Sequence, residues 1–172
     1  MSARAQIGIE NEDGSVTYVY CNLEGNPARL GKVLEEAWSN RTALGKLLAM
    51  GCLARIGPDL GVAHPPLHHA YPGIREWMGR YGDMCEFYHR DWYDGWSRQD
   101  GPWTADSIEA FASGMSNKAE IGASYVLRRT GQWHFIRKAA AGARESVPVD
   151  MLKPLAPAAL NVNTGPAVSA GT

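Results

Sequence analysis

Nine of the sixteen aromatic residues of this 172-residue chain fall between Tyr71 and Trp103. Within that stretch Phe87, Tyr88, Trp92, Tyr93, Trp96 and Trp103 interleave with His89, Arg90, Asp91 and Arg98. A flat apolar ring stacks on a nucleobase, a contact worth about 1–3 kcal/mol per base, and a guanidinium offers a planar fork of donors to a phosphate. Tyr88, His89, Arg90, Trp92, Trp96 and Arg98 are therefore candidate ligand residues. The competing reading puts alternate residues of the segment in the core and lets the tryptophans cover a sheet edge. Arg128 and Arg129, beside the turn of a later hairpin, would add an anion clamp, against the plainer alternative of solvated hairpin charges.

Acid–base chemistry has a weaker basis. His89 lies near Asp91, and a carboxylate tunes an imidazole toward neutral pH. No serine or cysteine pairs with it by spacing, and adjacent strand residues point to opposite faces, so His89 and Arg90 would not converge on one atom. His64, His68 and His69 in HPPLHHAYP sit among prolines and read as a surface loop, and no metal or cofactor is predicted. Cys21, Cys52 and Cys85 form no C-x-x-C pair and read as reduced, buried thiols. The dinucleotide, P-loop and zinc-protease glycine and histidine patterns are missing from the sequence.

The elements that must position these residues follow from periodicity. Gln6 to Cys21 reads as a hairpin about Asp13-Gly14, with Ile7 and Ile9 on one face of its first strand and Val16, Tyr18 and Tyr20 on one face of its second. Leu30, Val33, Leu34, Ala37 and Trp38 make the stripe of a helix. A second helix, capped by Asn40 or Thr42, carries Leu44, Leu47 and Leu48. Ile56 to Gly82 reads as a long loop with a helical turn at Ile74 to Met78, and Met84 to Trp92 as a strand. Thr104 is placed to cap a helix carrying Ile108, Phe111, Ala112 and Met115. Tyr125 to Arg137 reads as a second hairpin about Thr130-Gly131.

These elements predict an α+β fold: an antiparallel or mixed sheet of two hairpins plus a middle strand, with about three helices packed on one face. Residues 1–138 form the expected single domain. Residues 139–172 hold nine Ala, four Pro and three Gly and no aromatic residue, which reads as a flexible tail with weak local structure at most, and a homo-oligomer is among the expected partners. A net charge of −1 argues against general nucleic-acid binding. No apolar run reaches membrane-spanning length and the first residues lack a secretory core, so a cytoplasmic protein is expected.

The run Arg4-x-x-Ile7-Gly8-x-x-Asn11-x-Asp13-Gly14-Ser15-Val16-Thr17-x-x-Tyr20-Cys21, followed by Gly25-x-Pro27 and Gly31, resembles small accessory proteins carried by phages and prophages. In those relatives a YCHxDGYP-like stretch follows the hairpin, and a later strand carries a run like Tyr88-His89-Arg90-Asp91. Here Asn22, Glu24 and Asn26 replace the histidine, aspartate and tyrosine, so a contact made by those three is not carried over. The group is similar to the anti-Thoeris sponges, which bind cyclic ADP-ribose signals without cleaving them. The resemblance implies an anti-defence protein that acts in the infected cell and sequesters a cyclic nucleotide-type small molecule. The alternatives are a protein-binding inhibitor of a host defence complex or virion accessory factor, and a small hydrolase using His89.

Overall fold

The structure is a computed structural model that describes residues 4–22, 25–92, 101–117, 121–138 and 144–149. Its first hairpin pairs β1 (Arg4–Glu10) with β2 (Val16–Cys21), as the alternation predicts. Gly14 takes φ 86° in the turn, and the Asp13 carboxylate accepts from the Ser15 backbone N–H at 3.0 Å and from its hydroxyl at 2.7 Å. The second hairpin pairs β6 (Ile121–Leu127) with β7 (Trp133–Lys138), and Gly131 turns it at φ 84°. The two hairpins join through β1 and β6, which run parallel.

Four more strands complete an eight-stranded mixed sheet: β3 (Leu53–Arg55), β4 (Glu86–Phe87), β5 (Trp103–Ala105) and β8 (Arg144–Pro148). The order is β4-β3-β2-β1-β6-β7-β8, and β5 pairs with β2 off this path. The fold is α+β, as expected. β1 lies between two neighbours and is buried on both faces from Ala5 to Glu10, which is why the polar Gln6 and Glu10 there have side-chain partners.

A π-helical turn over Pro27–Gly31 runs into α1 (Lys32–Ala37), and Leu30, Leu34 and Trp38 are buried along it. In α2 (Arg41–Ala49) the Asn40 side chain accepts from the Ala43 N–H at 3.0 Å, and Leu44, Leu47 and Leu48 are buried. The remaining helices are α3 (Ile74–Tyr81), the single turn α4 (Tyr88–Asp91) and α5 (Ile108–Asn117). Helices cover both faces of the sheet, which corrects the one-face expectation. Tyr125 pairs through Ile7 with Val19, so these three share a face, and Tyr125 reaches Gly31 and the Gly25 carbonyl. Tyr18, next to Val19, faces the other way and meets Phe111 of α5 at 5.2 Å.

Several local expectations are overturned by longer-range pairing. Met84 to Trp92 is not one strand: β4 stops after Phe87 and the chain curls into α4. β3 lies just before the long loop, too short to show a period of two, and pairs with both β2 and β4. Thr104 is a strand residue, because β5 pairs with the part of β2 from Val16 to Tyr18. Ser107 caps α5 instead, its hydroxyl accepting from the Ala110 N–H at 3.1 Å. β8 lies beyond the Lys138 boundary, paired antiparallel with β7, and Val149 after it is buried.

Candidate functional site

The first hairpin and the Tyr88–Asp91 run meet on the sheet. Cys21 pairs with Leu53 and Leu53 with Phe87, and the Tyr88 N–H donates to the Cys52 carbonyl at 3.2 Å. The turn after Phe87 is made by Asp91, whose fully buried carboxylate accepts from the Phe87 N–H at 2.8 Å and the His64 N–H at 3.2 Å. Arg90 completes this network. Its Nε and Nη2 donate to Asp91 at 2.8 and 3.0 Å, Nη1 to the Leu60 and Gly61 carbonyls at 2.9 and 3.2 Å, and Nη2 to the Cys85 carbonyl at 2.6 Å. A guanidinium has five N–H donors. All are engaged inside the protein, so Arg90 has none left for a phosphate, and its placement as an anion contact is corrected to that of a clamp on the 57–85 segment.

The other sequence candidates divide in the same way. Tyr88 is buried, and burial pushes its hydroxyl pKa up. His89 is exposed on the outside of α4 and has no hydrogen-bond partner among the described residues. Trp92 is half-buried, and its indole N–H donates to Glu86 at 2.8 Å. Trp96 and Arg98 lie outside the described residues. Arg128 and Arg129 converge on Glu10, at 2.8 and 3.4 Å. Glu10 ends β1 and Arg4 begins it, six strand steps or roughly 20 Å apart. Phe87, next to Tyr88, pairs through Leu53 with Cys21, which lies opposite Ala5, so the aromatic segment sits at the Arg4 end of β1 and the arginine pair at the Glu10 end.

A depression of about 260 Å³ opens beside the aromatic segment, between α3 and the His-Pro loop. Gly73, at the N-terminal cap of α3, and Glu76, Trp77, Arg80 and Tyr81 of the helix line it, with Pro65, His69 and Ala70 from the loop. The α3 residues recur at i, i+3, i+4, i+7 and i+8, one face of a helix, and that spacing was the signal by which the sequence could have disclosed them. Their placement rests on His64. Read from sequence as a surface residue, it is buried, stacked on Tyr81 at 5.0 Å and edge-on to Trp77 at 5.4 Å. Its ring nitrogens lie 3.1 Å from the Pro65 carbonyl and 3.2 Å from that of Cys85. The Trp77 indole N–H also donates to the Pro65 carbonyl, at 2.7 Å.

Rings run from this depression back to the predicted residues. His69 contacts His68 at 4.0 Å, His68 contacts Trp92 at 4.2 Å, and Trp92 contacts Tyr88 at 4.8 Å between centroids. The buried Glu86 fixes both ends of this step, accepting from the Leu67 N–H at 3.2 Å as well as from Trp92. Tyr88 and Trp92 therefore support the wall of the depression. The chemistry available on its surface is the half-buried Tyr81 ring and the exposed His69 imidazole, with a guanidinium and a carboxylate at the rim, over a Trp77 that is itself buried beneath Arg55.

Among the described residues no group of three or more His, Cys, Asp or Glu side chains could hold a metal ion. Cys85 is no nucleophile at neutral pH: burial pushes its thiol up to about 12 against the opposing Gly57 hydrogen bond and the charges of Arg55 and Arg90. Comparison with protein families, curated proteins and solved structures finds no match for this chain.

Proposed function

We propose that the protein is an anti-defence binding protein that sequesters a nucleotide-derived signal in the depression along α3 without cleaving it. The observation that supports this reading is the placing of Trp77, Tyr81 and His69 around one concavity with Arg80 at its rim. Rings take a base and the guanidinium takes a phosphate, while the volume lies below the ~300 Å³ at which ligand pockets commonly begin. At that size the depression takes one nucleoside unit at most, and the rest of a larger signal stays in solvent. The reading keeps the ligand class that the family resemblance implies and moves the contact from Arg90 to Arg80.

The test is to incubate the protein with an extract containing defence nucleotides, release bound material by heat and identify it by mass spectrometry. Intact nucleotide is expected from the wild type and not from Arg80→Ala, an exposed position whose loss spares the fold. A cleaved nucleotide would instead support a hydrolase, and no recovered nucleotide would overturn the proposal. One observation favours the protein-binding alternative. Tyr71, Ile74 and Met78, beside and along α3, are 82%, 45% and 40% exposed, and Ile74 and Met78 share a face by their spacing of four. A host or virion protein that co-purifies with the wild type and is lost in Ile74→Asp would establish that reading.

A further inference from the structure

We infer that Glu76 makes the depression along α3 selective for ribonucleotides over deoxyribonucleotides, an inference that rests on the nucleotide reading above. Glu76 and Arg80 lie one helical turn apart on the lining face, with Arg80 Nη2 3.0 Å from Glu76 Oε1. Their side chains are 71% and 66% exposed, so as an ion pair they contribute little to stability. What the pair does is orient. Arg80 holds the carboxylate by one oxygen, and the other oxygen has no hydrogen-bond partner among the described residues. The wall thus offers an acceptor beside charged donors, next to the rings of Trp77 and Tyr81.

A carboxylate in an anion site selects against ligands that bring only phosphate to it, because like charges repel. It favours a ligand with hydroxyl donors close to its phosphate. In a ribonucleotide the base lies against Tyr81 and the exposed His69 ring, the phosphate reaches Arg80 and a ribose hydroxyl donates to Glu76, the bond by which acidic residues recognise ribose in dinucleotide sites. A 2′-deoxyribose lacks one such donor. Glu76, 71% exposed, would then keep water as its partner and gain no bond to the ligand, so the complex lacks that charge-assisted hydrogen bond.

The experiment is calorimetric titration of the full chain with AMP and dAMP, repeated with Glu76→Ala, with circular dichroism to show that the variant is folded. AMP is expected to bind roughly tenfold more tightly than dAMP, the equivalent of one modest hydrogen bond. Glu76→Ala is expected to bring AMP to the level of dAMP and to leave dAMP unchanged or tighter, since a repelling charge is gone. Equal wild-type affinities for AMP and dAMP, or a preference that survives Glu76→Ala, overturn the inference and leave the nucleotide reading standing. Binding of neither nucleotide overturns both.

Discussion

Arg90 spends its guanidinium on Asp91 and on the carbonyls of Leu60, Gly61 and Cys85, so lysine there would keep the charge and lose most of the bonds. Arg90→Lys is expected to lower stability by about 1–3 kcal/mol, and Asp91→Ala, which strands a buried cation, by about 3–5 kcal/mol. Equilibrium unfolding in urea measures both, and midpoints equal to the wild type would show that the network does not hold the loop. Glu10 carries a pH dependence. Burial pushes its carboxyl up, but the Arg129 backbone N–H, the Arg128 hydrogen bond and both arginine charges outweigh it and leave it below the ordinary value of 4.5. A carboxyl more acidic in the folded than in the unfolded chain adds stability that is complete above its unfolded pKa and lost as pH falls through its folded one. Glu10→Gln should therefore be less stable than the wild type at neutral pH, and the gap should close below about pH 4. Unfolding free energies across that range are the check, and a gap independent of pH would contradict it.

Among the elements, β8 carries the clearest consequence. It covers the edge of β7, and the Val149 side chain lies 2.9 Å from where a Cβ on Gly31 would sit, so the strand is fastened to the start of α1 as well as to the sheet. A chain ending at Lys138 should melt roughly 5–10 °C below one ending at Asp150, in the range that a loss of a few kcal/mol produces. Equal melting temperatures would show that β8 adds nothing to the fold. Composition concealed this strand, because RESVP is short and sits in an Ala- and Pro-rich context. The helices α1 and α2 and both hairpins were legible because their signals are local: an apolar stripe, a capping Asn40, a turn glycine. α3 was legible only as a turn, since Trp77 is its one buried residue and its other long side chains line a depression or face solvent.

For the whole molecule, the three cysteines report on global opening. Cys21, Cys52 and Cys85 are all buried, and burial suppresses the Cys85 thiolate. A maleimide should label the native protein slowly at every thiol, with rates that rise together in mild denaturant; fast labelling of one cysteine in native buffer would contradict this. No helix among the described residues is long and apolar enough to cross a membrane. The sequence by itself determined the α+β class, the two hairpins with their turns, the stripes of α1 and α2 and the concentration of aromatic residues from Tyr71 to Trp103, because each is written in neighbours within a few residues. Only the tertiary structure decided that Arg90 is a clamp, that Arg128 and Arg129 answer to Glu10, that His64 is buried and that Arg80 lines the depression. Those assignments depend on partners that local pattern does not reveal, such as Trp77 for His64, Leu60 for Arg90 and Glu10 for Arg128, and a guanidinium looks the same in sequence whether its donors end on a buried carbonyl or on a ligand.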